Sequence, residues 1–224
     1  DLSDLGPLSN VQADALTSFG FDQWTSVATA SFSAIVAGEI ELAGVPTEIT
    51  LANIDQVVGP DNGGGIYVVY DNDGDILSNF FGAPPGVLGL AIPEHTTGTT
   101  ITESFVVING TTVDPADTDG ARYAGVFTHE FGHSINLAHS QTNGGIIFFG
   151  DATAPVSCST PPYSGGPAIA DIETMYPFID ISATGTGQAQ SEVNQLDDIA
   201  SLSNIYPAAG WPGDFATITG TIFL

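Results

Sequence analysis

Leu16, Phe19, Trp24 and Val27 recur at helical intervals behind Ser9 and Gln12, which are spaced as a capping box. The pattern predicts an amphipathic helix over about residues 10–29 that packs on a sheet. Runs of β-branched and aromatic residues follow at 32–40, 47–58, 66–70, 87–92 and 100–108, separated by Gly, Pro, Asn and Asp clusters, and predict about four or five strands. Tyr123, Phe127, Phe131 and Ile135 then sit four apart, as one apolar stripe of a second helix over about 119–135. Between His139 and Met175 the chain is rich in Gly, Pro, Ser and Thr with little periodicity, and Leu196, Ile199 and Leu202 mark a last helix over about 192–205. The fold class is mixed α and β. Residues 1–208 read as one domain, and 209–224 as a linker and the first strand of a following domain, which makes the chain part of a longer multidomain protein.

Composition narrows the partners. The 224 residues carry 26 acidic side chains and one basic one, Arg122, for a formal charge of −25. No Lys/Arg stripe exists to neutralise phosphates, which excludes nucleic acid, and the acidic surface disfavours anionic membranes. Since charged residues are 12% of the chain, the imbalance reflects missing Lys and Arg more than excess Asp and Glu, as in a solubility adaptation to salt. No apolar run is long enough to insert into a membrane. A lone cysteine, Cys158, excludes an internal disulfide.

Chemistry concentrates in His129-Glu130-Phe131-Gly132-His133. Residues i and i+4 of a helix share a face one turn apart, so the two imidazoles suit two ligands of a tetrahedral zinc, away from the Phe127/Phe131 stripe. His139 follows six residues later, and a continuing helix would carry it off that face. Asn136 supplies the break, because its short polar side chain tolerates the left-handed backbone that turns a chain away after a helix. Three neutral imidazoles leave one coordination position open to water, whose pKa falls to about 7, with Glu130 placed as the base.

The three histidines at this spacing resemble the long zinc motif of the metzincin clan, with Asn136 where that motif has Gly. Met175, the sole methionine, stands in Met175-Tyr176-Pro177, which resembles the methionine turn of the matrixins, the matrix metalloproteinase family. Phe21 to Trp24 is similar to the first matrixin helix, Gly86 to Pro93 to its edge strand, and Leu196 to Ile199 to its final helix.

The resemblance implies a zincin fold: a twisted, mostly parallel sheet of about five strands with an antiparallel edge strand, two long helices, an upper lobe over about 1–136, and a lower lobe over about 137–208 holding the methionine turn and final helix. It further implies a secreted zinc endopeptidase acting on protein or peptide substrates. The peptide would lie antiparallel to Leu88, Gly89 and Leu90, and the wall of a specificity pocket would fall at about 177–189. The second, mainly histidine-bound zinc of matrixins is not expected, because His95 is the one histidine left.

Weaker signals remain. Asp71, Asp73 and Asp75 begin like a calcium loop, but the twelfth position holds Gly82, so an EF-hand is excluded; structural calcium and a plain solvated turn both fit. Gly63 to Gly65 reads as a turn, and His95 as a solvated side chain in a polar loop. Two other functions compete with the endopeptidase: a zinc-stabilised extracellular adhesion module, and a zinc hydrolase of non-peptide acyl substrates.

Overall fold

The computed structural model describes residues 1–98, 100–140, 172–211 and 213. Cys158 and the expected strand after residue 214 lie outside them. The described residues form a mixed α and β fold, with helix α1 (Asn10–Thr25), a short hairpin of β1 (Glu41–Leu42) and β2 (Val45–Pro46), and strand β3 (Gly65–Asp71). Strands β4 (Gly89–Thr97) and β5 (Thr100–Asn109) follow, then helices α2 (Ala124–Ser134) and α3 (Leu196–Ile205).

β3, β5 and β4 form one sheet in that order, β3 parallel to β5 and β4 antiparallel on the edge. The antiparallel edge strand is as expected. The expected five mostly parallel strands are not: this sheet has three, among the described residues, with one parallel and one antiparallel pair. The segments at 32–40 and 47–58 are not strands. Ile35 and Val36 are exposed, whereas Ile40, Ile49, Ile54 and Val57 are buried against one face of the sheet. Their β-branched residues anchor an irregular cover instead of entering a ladder.

Alternation along the strands explains why the sheet needs two covers. Tyr70, Val106 and Ile108 face the helices, while Val69, Phe105 and Val107 face the 40–58 segment. α1 packs across α2, with Phe21 stacked on Phe131 at 3.9 Å and the Trp24 indole donating to the Thr128 carbonyl at 2.8 Å. The predicted stripe holds at Leu16 and Trp24 of α1 and at Val27, buried just past its end, but Phe19 is partly exposed and Phe21 takes the interior place.

Element ends differ from the periodicity for local reasons. The capping box at Ser9 and Gln12 forms as predicted, and α1 stops at Thr25, short of residue 29. α2 begins at Ala124 rather than near 119, because the Asp117 carboxylate accepts from the amides of Arg122 and Tyr123 and holds the preceding residues in turns. α3 begins at Leu196, after a 3-10 turn at Ala189–Ser191. His95 lies inside β4 rather than in a solvated loop, with its Nε2 buried.

Candidate metal centre

α2 is buried along nearly its whole length, and its apolar stripe, Tyr123, Phe127, Phe131 and Ile135, sits in the core. His129 and His133 leave the helix on another side. His129 is buried, His133 half-buried and His139 exposed. The helix ends as predicted at Asn136, whose φ of 75° is left-handed, and the Leu137 amide turns back to the Gly132 carbonyl at 2.9 Å. That reversal returns His139 to the other two histidines.

Hydrogen bonds at the far side of two rings set their tautomers. His129 Nδ1 lies 2.7 Å from the Thr174 carbonyl oxygen and His133 Nδ1 2.8 Å from that of Leu137. A carbonyl oxygen only accepts, so each Nδ1 carries the proton and each Nε2 presents a lone pair. His133 Nε2 is 3.1 Å from His129 Nε2 and 3.0 Å from His139 Nε2. Tetrahedral zinc, with bonds of about 2.0–2.1 Å, spaces its ligand atoms about 3.3 Å apart. The facing lone pairs of His129 and His133 repel at this separation unless a cation lies between them. The triad can hold a metal ion.

Burial keeps the rings in the protonation state a ligand needs. Desolvation, helped by the neighbouring His133 and His139, lowers the His129 pKa to about 3. It also lowers those of His133 and His139. All three are neutral at pH 7. Glu130 is 7% exposed, and burial pushes its carboxyl up to about 8. A nearby cation favours the carboxylate and draws such a group back down.

Met175 lies against the same helix. A Cβ on Gly132 would stand 2.2 Å from Met175 Sδ and 2.9 Å from Trp24 Cζ2, so the absent side chain lets Met175 reach the helix. Asp198, on α3, accepts from the Thr174 amide at 2.7 Å and the Met175 amide at 3.3 Å. Thr174 in turn holds His129 through its carbonyl. Asp198 and Thr174 were not singled out from sequence, because their roles join segments 24 and 45 residues apart. Tyr176 packs with Ile172 and Phe178, and Pro177 follows half-buried.

The three proposed substrate residues divide by backbone direction. The Leu88 carbonyl is taken by the Asn109 amide at 2.9 Å and the Tyr123 hydroxyl at 3.0 Å. Alternation in an antiparallel pair then turns the amides and carbonyls of Leu90 towards β5 and those of Gly89 and Ala91 towards the other edge of β4, which pairs with no strand among the described residues. Gly89 also touches the centre: a Cβ there would lie 2.7 Å from Glu130 Cγ and 2.9 Å from its Oε1.

Asp71, Asp73 and Asp75 do not converge as a three-ligand group, in contrast to the histidines. Asp71 is buried and accepts from the Ile76 and Leu77 amides, while Asp73 accepts from the Asp75 amide, which is turn chemistry. Asp114 and Asp117 pair with Arg122. Comparison of the chain with protein-family models gives no match. Comparison with curated proteins gives none either.

Proposed function

We propose that this chain is a secreted zinc endopeptidase of the metzincin kind, similar to the matrixins, that hydrolyses peptide bonds in extended protein segments. One observation carries the reading: three neutral imidazoles converge by their Nε2 atoms beside a buried glutamate that touches an open strand edge. His129, His133 and His139 would hold the zinc. When bound, zinc supplies Lewis acidity, which acidifies water and polarises a carbonyl.

The chain's own groups do the rest. The open edge at Gly89 and Ala91 pairs with the substrate backbone and sets its direction. Glu130, against Gly89, takes a proton from the attacking water and delivers one to the departing amine. The Thr174 and Leu137 carbonyls hold two imidazoles in one tautomer and orientation. Met175, pinned by Asp198, supports the helix from below.

The test is cleavage of a diverse peptide library by the wild-type chain, with zinc and after chelation. Cleavage that chelation abolishes and zinc restores is expected. A chain that holds zinc and cuts no peptide is instead a binding module, or a hydrolase of another acyl group, and the proposal fails.

A further inference from the structure

Where β4 ends and β5 begins, a second group of ligand-type side chains meets. Glu94, His95 and Glu103 each offer one atom, all within 4.8 Å of one another. Successive residues of a strand point to opposite faces, so Glu94 and His95 can share a site only where the ladder breaks. It breaks there: the register steps from Pro93↔Ser104 to His95↔Glu103, leaving Glu94 as an extra residue on β4. Bulges of this kind re-aim side chains.

One loop, residues 57–64, closes over the group. Glu103, 1% exposed, accepts from the Asn62 amide at 3.0 Å and the Gly64 amide at 2.9 Å. Glu94 Oε1 accepts from the Gly59 amide. The atoms left over are Glu94 Oε2 and His95 Nε2, both buried without a hydrogen-bond partner. Buried polar atoms are costly in that state. The chain's one Lys or Arg, Arg122, is engaged elsewhere, by Asp114 and Asp117.

We propose that Glu94, His95 and Glu103 bind a divalent cation of the zinc class, which ties the 57–64 loop to the bulged β4–β5 hairpin. One imidazole with two carboxylates suits zinc better than calcium, which takes six to eight oxygens. The ligand set is distinct from the mainly histidine one that the chain lacks. The site stands apart from the histidine triad and does not depend on the peptidase reading.

Metal content tests it. The wild-type chain, saturated with zinc chloride and desalted, is expected to retain two zinc ions; retention of none, or of a single ion that the His129→Ala, His133→Ala pair removes, overturns the second site. Variants assign the ions: a folded Glu94→Gln, His95→Gln double variant is expected to lose one, and His129→Ala, His133→Ala to keep one. A folded Glu94→Gln, His95→Gln chain that keeps both overturns the proposal. The His129→Ala, His133→Ala chain also serves if the first double variant does not fold. In it, zinc is expected to slow amide exchange in residues 57–64, and unchanged exchange there overturns the proposal. Failure of the triad alone would appear differently, as a wild-type ion that the His129→Ala, His133→Ala pair does not remove.

Discussion

Gly132→Ala reverses the usual expectation for a helix. Replacing an interior glycine by alanine gains about 1 kcal/mol from backbone propensity, so without a neighbour the variant would be more stable. Here the new Cβ would stand 2.2 Å from Met175 Sδ and 2.9 Å from Trp24 Cζ2, against normal contacts of about 3.5–4.0 Å. Trp24 is fully buried and held by its bond to the Thr128 carbonyl, so Met175 must give way. Overpacking of this kind costs about 1–3 kcal/mol. The net expectation is a loss of up to about 2 kcal/mol in urea unfolding of the metal-free chain, with weaker zinc binding because Thr174, next to Met175, orients His129. Met175→Ala alone is expected to cost about 2–5 kcal/mol through the cavity it leaves. In the double variant the alanine fills part of that cavity, so the combined loss is smaller than the sum. A stabilised Gly132→Ala chain, or strictly additive losses, would refute the contact.

Three further expectations follow from single contacts. Asn136→Gly is expected to leave stability within about 0.5 kcal/mol, and Asn136→Val to cost about 1–2 kcal/mol in the same assay, because the position is left-handed; equal stabilities would contradict the turn. Burial raises the Asp198 carboxyl to about 7, so between about pH 4 and 7 the folded metal-free chain holds a proton that the unfolded chain has released. Stability therefore falls as pH rises through that window, and the wild type should lose about 3 kcal/mol relative to Asp198→Asn from pH 4 to 7; a difference independent of pH would exclude the shift. Gly89→Ala should displace Glu130 while sparing the histidines, lowering peptide turnover by about 10²-fold at unchanged zinc content; unaltered turnover would separate Gly89 from the reaction.

The local part of the site was legible in the sequence. Helical spacing placed His129 and His133 on one face, and the need to return His139 to them identified Asn136, whose φ is indeed left-handed. The capping box and the strand cores at 66–70, 87–92 and 100–108 were also readable, since each depends on neighbours in sequence. Reading failed where tertiary contacts decide. The isoleucines and valines at 40–57 have strand chemistry but serve as anchors over the sheet, a choice made by the face of β3 and β5 that needed cover. Thr174 and Asp198 act across long loops, with nothing local to mark them. His95 looked solvated because a bulge, invisible to period-2 reasoning, brings it beside Glu94 and Glu103.

Glu130 decides the central claim. In Glu130→Gln the amide keeps the size of the side chain and cannot accept the proton, so zinc content and peptide cleavage are measured on the same sample. The account predicts wild-type zinc content with cleavage reduced by about 10²–10⁴-fold. Undiminished cleavage with the zinc in place would contradict it.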